Sequence, residues 1–167
     1  MRGVILSAAL IGMAALPARA EPLERFGTTM KYGLPLAAAI CAADQDRLED
    51  FALRGVVQAG LVLGLKALFD GTPLGRRPTG EGQGFPSGHA AMAGFGAADL
   101  AGKCWDDEPG LGAAAYGAAG LTAFSRVEAG EHTPRQAWTG ALIGVTFGAA
   151  SFGIGSEGAS ISFRLRF

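Results

Sequence analysis

Apolar stretches separated by short polar interruptions make up most of the chain. The first, Met30 to Ala43, ends at an acidic group of Asp44, Asp46, Glu49 and Asp50 set around Arg47. Phe51 to Phe69 is apolar at nearly every position except Arg54, Gln58 and Lys66, which predicts a largely buried helix. Between Asp70 and Pro86 the pattern stops. Five glycines, three prolines and the pair Arg76-Arg77 predict a loop, and a loop of this length in a small domain tends to be functional or disordered. Ser87 and Gly88 open a third helical stretch reaching about Lys103, with Ser87 as its natural N-cap, and the acidic turn Asp106 to Gly110 closes it. Leu111 to Val127 and Gln136 to Ile154 are a fourth and a fifth, rich in Ala and Gly, which let helix backbones approach closely. From Ala159 to Phe167 the residues Ile161, Phe163, Leu165 and Phe167 alternate with Ser and Arg, as in a short strand. The expected fold is all-α: a bundle of about five helices with a short extended C-terminal tail.

Residues 1–20 read as a secretory signal. Arg2 supplies a positive start, Val4 to Leu16 is an apolar run too short to span a bilayer comfortably, and Ala18-Arg19-Ala20 fits a small-x-small cleavage site. An uncleaved anchor is the alternative, and both place the single domain of residues 21–167 outside the cytoplasm. The composition agrees with an envelope location. Charged residues are 17% and hydrophobic residues 49%, against about 25% charged in soluble domains, which points to a membrane-associated or very Ala/Gly-rich helical fold. With 14 basic and 15 acidic side chains the net charge is -1, so no field attracts nucleic acid. Two cysteines, Cys41 and Cys104, cannot build a disulfide scaffold or a structural zinc site.

Traced as antiparallel helices, the segments sort the polar residues by end. Lys66, Arg76, Arg77, Ser87, Gly88 and His89 fall at one end, joined by Arg126 and His132; the acidic groups and both cysteines fall at the other. In a soluble periplasmic bundle the cysteines would be free to pair, whereas in a membrane-crossing one they would face the reducing cytoplasm. Arginine forks, a lysine ammonium and free N–H groups at a helix start are suited to a tetrahedral oxyanion, and phosphate is the obvious occupant. His89 and His132, the two histidines of the chain, add a nucleophile and a proton donor. No acidic metal cluster accompanies them, so metal-dependent hydrolysis is disfavoured and neither a metal nor a cofactor is expected.

The motifs Pro86-Ser87-Gly88-His89 and Ser125-Arg126, followed after five residues by His132, resemble those of the type 2 phosphatidic acid phosphatase and vanadium haloperoxidase superfamily. Its first motif, K-x(6)-R-P, is looser here: Arg77-Pro78 is present, but ten residues instead of six separate Lys66 from Arg77. Gln136 stands where the family usually has an aspartate that holds the nucleophilic histidine.

The resemblance implies a metal-independent acid phosphatase acting on a phosphomonoester or diphosphate, with a lipid phosphate at a membrane as the expected substrate and vanadate as inhibitor. It implies that His132 attacks phosphorus to form a phosphohistidine, that His89 protonates the leaving alkoxide, and that Gln136 orients His132. Lys66, Arg77, Ser87, Gly88 and Arg126 would bind the phosphate oxygens, Arg76 being a solvated neighbour and Ser125 a packing residue. The expected location is the inner membrane with the site facing the periplasm, or a soluble periplasmic state. Two alternative functions carry the same residues: a non-catalytic envelope protein that keeps the fold, and a vanadate-dependent haloperoxidase, a class whose members are much larger.

Overall fold

The computed structural model describes residues 20–155 and 158–163. The signal-peptide reading, residues 1–20, lies outside the described residues except for Ala20, and the end of the tail, 164–167, lies outside them as well.

Helix α1 (Ala20–Asp44) is longer than its apolar run, extending ten residues ahead of Met30. Charged Glu21 and Arg25 in this extension pair one turn apart on the exposed face, while Gly27 is buried. Next come α2 (Leu48–Leu68), the loop 69–87, and α3 (Gly88–Asp99), continued by a π-helical turn at Leu100–Cys104. Two more helices complete the bundle: α4 (Pro109–Glu128) and α5 (Pro134–Ala149).

α3 is the central helix. Ala90, Ala93 and Ala97 are fully buried, and Phe95 and Leu100 nearly so. Its small side chains allow α5 to lie directly against it: methyl groups at Gly140, Gly144 and Gly148 would overlap the carbonyl oxygens of Ser87, Ala91 and Phe95 in turn. That contact fixes the height of α3 relative to α5, and so sets Ser87 beside Gln136, whose carbonyl accepts the Ser87 N–H at 2.9 Å. The main apolar core lies between α1, α3 and α4 and reaches Phe51 on α2, whose ring sits 4.9 Å from that of Phe95.

The fifth helix stops at Ala149 instead of continuing to Ile154 as the apolar pattern predicts. Residues 150–155 form β1 (Ala150–Gly155), paired antiparallel with β2 (Gly158–Phe163), so the tail strand has a partner. Tertiary polar contacts draw the backbone out of the helix: the Ala150 carbonyl accepts from Lys103 at 2.5 Å, and the Phe152 N–H donates to Asp50 at 2.7 Å.

The same end of the bundle holds a buried ion network. Arg54 is fully buried; it bonds to Asp50 at 2.8 Å, Asp99 at 2.7 Å and the carbonyls of Phe147 and Gly148. Asp99, also fully buried, accepts from Arg47 as well, and the Lys103 ammonium lies 3.3 Å away. Cys41 and Cys104 form a disulfide beside Arg47, tying α1 to the π-helical turn.

Candidate active site

The opposite end of the bundle gathers the residues that the motifs singled out. Ser87 is the N-cap of α3, fully buried, with its hydroxyl accepting the Ala90 N–H at 3.5 Å. Gly88 and His89 are therefore the first residues of a helix whose N-terminal dipole points into the site. Arg126 lies in the last turn of α4, and His132 in the short loop leading to α5, where its N–H donates to the Arg126 carbonyl at 3.1 Å. Arg77 comes from the 69–87 loop, and Lys66 from the end of α2, where its ammonium donates to the Gln83 carbonyl at 2.6 Å. Arg76 is exposed, and Ser125 is buried against α1 with its hydroxyl given to the Thr122 carbonyl.

Electrostatics report how tightly these groups are gathered. Burial, with Arg77, Lys66 and Arg126 adding to it, lowers His132 from the usual 6.5 to about 4; Gln136 acts in the opposite direction. His89 is lowered to about 3, first by burial and then by Arg126, Lys31, His132 and Arg77. Both rings are thus neutral at physiological pH in the empty site. Among the described residues, three nitrogens of the site are buried without a hydrogen-bond partner: Nε of Arg77, Nε of Arg126 and Nδ1 of His132. Buried donors are rarely left unpaired, and two such donors on arginines that approach one carboxylate oxygen of Glu131 suit a further anion.

Gln136 is placed differently from a residue held by the His132 ring alone. It occupies the third position of α5 in a capping box, with Oε1 accepting the Thr133 N–H at 3.0 Å. Its Nε2 donates to the carbonyls of Leu74 at 2.8 Å and Arg76 at 2.9 Å. The side chain therefore moors the loop that carries Arg77 to the helix that follows His132.

Three further residues enter the site without having been singled out from the sequence. Glu131 lies 3.1 Å from Arg77 Nη1 and 3.6 Å from Arg126 Nη2; Glu24 lies 3.2 Å from Arg126 Nη1. Lys31 Nζ sits 3.2 Å from His89 Nε2. Glu131 had one legible signal, its place directly before His132, while Glu24 and Lys31 arrive only through the packing of α1.

An apolar pocket of about 460 Å³ opens next to His89. Lys31, Lys66 and His89 line its polar end, and Phe51, Val62, Met92 and Phe95 line the remainder between α1, α2 and α3.

A helical bundle that presents two histidines, two arginines and a helix N-terminus at one end defines an oxyanion-handling enzyme of the kind the motifs suggest. The model of the PAP2 superfamily matches residues 51–157, and the chain belongs to that family. It is a phosphoric monoester hydrolase. A lipid A 4'-phosphatase from Helicobacter pylori (strain J99) is 33% identical over 161 residues, covering 86% of this chain and 78% of that protein. The crystal structure of Aquifex aeolicus LpxE superposes with a TM-score of 0.66 at 24% identity, covering 81% of this chain and 86% of the other, a likeness of fold.

Proposed function

We propose that the enzyme removes the phosphate of a membrane-borne lipid phosphate without a metal ion, by way of a phosphohistidine on His132. The observation that carries this reading is the pair of buried, unpartnered Nε donors on Arg77 and Arg126 beside the neutral His132 ring. A phosphate there gives both arginines their missing acceptors, and Lys66, the Gly88 N–H and the Ser87 hydroxyl surround the remaining oxygens.

In the first step a nitrogen lone pair of His132 forms a bond to phosphorus while the bond from phosphorus to the ester oxygen breaks. The leaving oxygen takes a proton from His89. His89 is neutral in the empty site because it is buried and because cations surround it; an incoming phosphate anion offsets the cations and favours the charged ring, so the ring gains its proton along with the substrate. In the second step water attacks phosphorus, gives its proton to His89, and inorganic phosphate leaves as His132 is freed.

A lipid is favoured by the pocket beside His89. The leaving group must lie on the His89 side of phosphorus, and the space beyond that ring is apolar along most of its length. Helix α2 is long and apolar enough to cross a membrane, and Val56, Leu63 and Leu68 on it are largely exposed. We therefore assign the protein to the cell envelope, with α2 in the bilayer and the site at the periplasmic end. The Cys41–Cys104 disulfide, at the end away from the site, favours a second reading in which the whole bundle lies in the oxidising compartment against the membrane surface.

Phosphate release from purified protein, assayed on a lipid phosphate and on nitrophenyl phosphate with and without EDTA, tests the chemistry. Activity that survives EDTA, is inhibited by vanadate and disappears in His132→Ala supports the proposal; activity lost to EDTA and restored by a divalent ion overturns the metal-free mechanism. Carbonate extraction with thiol labelling tests the location. Retention with free thiols supports the membrane-inserted state, and release of an oxidised protein supports the second reading.

A further inference from the structure

Lys31 belongs to none of the three motifs that define the site, yet its ammonium lies 3.2 Å from Nε2 of His89, fifty-eight residues along the chain. Two close helix contacts hold it there. One turn before Lys31, a methyl on Gly27 would overlap the Ser125 hydroxyl, so α1 touches α4 next to Arg126. One turn after it, a methyl on Gly96 would overlap the backbone at Leu34 and Pro35, so α1 touches α3 two turns beyond His89. Lys31 is thus bracketed between fixed points on both helices that carry site residues, and half-buried. Its position is set by backbone contacts on both sides, unlike that of a lysine on a free helix face.

An ammonium carries donors and no acceptor, so Nε2 of His89 must be the accepting nitrogen and the proton of the neutral ring falls on Nδ1. We propose that Lys31 is a positioning residue of the reaction: it holds the neutral His89 imidazole in one tautomer and one orientation, so that the proton arriving with the substrate adds at Nε2 and passes from there to the leaving oxygen, after which Nε2 again accepts from Lys31. This rests on the assignment of His89 as proton donor made above. Lys31 also lines the polar end of the apolar pocket, so it stands where the leaving group of a lipid phosphate passes from phosphate to chain. The other charged groups acting on His89 are Arg77 from the loop and Arg126 from α4, with His132 beside them; none of these has a hydrogen bond to the ring.

Lys31→Met and Lys31→Arg separate positioning from simple charge. In detergent-solubilised full-length protein, ring nitrogen chemical shifts of His89 should report a single tautomer in the wild type and a mixture in Lys31→Met. In turnover, Lys31→Met should lower kcat about tenfold on an alkyl phosphate, whose leaving oxygen needs the proton, and less than about threefold on nitrophenyl phosphate, with KM little changed. Lys31→Arg, which keeps donors near the ring, should recover part of the alkyl phosphate rate. An unchanged tautomer in Lys31→Met overturns the proposal, and so does an equal loss on both substrates through KM, which would make Lys31 a phosphate-binding residue only. If the wild type releases no phosphate from any ester, the functional reading fails, while the tautomer measurement still decides whether Lys31 positions His89. Should Lys31→Met fail to fold, the same two readouts on Lys31→Arg and Lys31→Gln decide it: a ring that stays in one tautomer in Lys31→Gln, with no leaving-group dependence, overturns the proposal.

Discussion

Glu131 holds Arg77 at 3.1 Å in the empty site, and its same carboxylate oxygen lies 3.6 Å from Arg126. The carboxylate therefore offsets part of the charge of the two guanidinium groups that a phosphate would use. Because the pair is partly solvated, its contribution is modest, about 0.5–1 kcal/mol. Glu131→Gln should strengthen inhibition by inorganic phosphate and by vanadate about two- to fivefold, the equivalent of that energy. Inhibition constants measured at low and at moderate salt check this; a weaker inhibitor in Glu131→Gln would mean that the carboxylate shapes the site more than it competes for it.

Gln136 connects the 69–87 loop to α5 through two donated hydrogen bonds, to Leu74 and Arg76. Gln136→Glu keeps the acceptor for the Thr133 N–H and loses both donors, leaving a carboxylate facing two carbonyls. A cost of about 2–3 kcal/mol follows, which for a chain of this size lowers Tm by roughly 5–10 °C. Gln136→Asp, shorter and also without donors, should be no better, so turnover is expected not to rise with an aspartate at this position. Thermal unfolding together with the phosphate KM checks it: the loop carries Arg77, so KM should rise in both variants. A Gln136→Asp protein with wild-type Tm and faster turnover would show that the residue serves the His132 ring instead.

The pH dependence follows from the two histidines. His132 must be unprotonated to attack, and its folded value is about 4, so the acid limb of kcat/KM should fall near pH 4, well below the 6.5 of an ordinary imidazole. For stability, the folded state binds fewer protons than the unfolded state wherever the pH lies between the folded values, about 3 for His89 and about 4 for His132, and 6.5. The histidine contribution is fully present above pH 6.5 and is lost progressively as pH falls toward 4 and then 3. Tm should therefore rise with pH across that window, with a shallower slope in His89→Ala. Vanadate binding should take up protons near neutral pH, because the anion offsets the cations that, together with burial, keep His89 neutral; calorimetry in buffers of different ionisation enthalpy measures this.

Asp99 balances Arg54 and Arg47 at the end remote from the site. Asp99→Ala leaves Arg54 buried without its main counter-charge, a change that costs about 3–5 kcal/mol. The folded yield and the denaturation midpoint should drop sharply, while kcat of the protein that does fold should stay close to wild type. A midpoint within experimental error of wild type would mean that Asp50 and the α5 carbonyls suffice for Arg54.

Much of this was legible along the chain. The helix-forming runs, the cap at Ser87 and the motif spacings are local properties, and they located the bundle and grouped Lys66, Arg77, His89, Arg126 and His132 at one end. The end of α5 was not legible, because residues 150–154 are as apolar as the helix before them. What ends the helix is the Lys103 and Asp50 side chains bonding to the backbone of residues 150 and 152, and both are more than forty residues away.

The sequence alone determined which residue types and which spacings were present, because helix propensity, capping and apolar period act over a few neighbouring residues. Only the tertiary structure decided the partners. It gave the amide of Gln136 to the Leu74 and Arg76 carbonyls, bound Glu131 to two arginines, and brought Lys31 to His89. Those pairings depend on how closely α1 approaches α3 and α4 and on how α5 sits on α3. Small residues such as Gly27, Gly96 and Gly144 permit that closeness, but which surface each one meets is settled only when the helices pack.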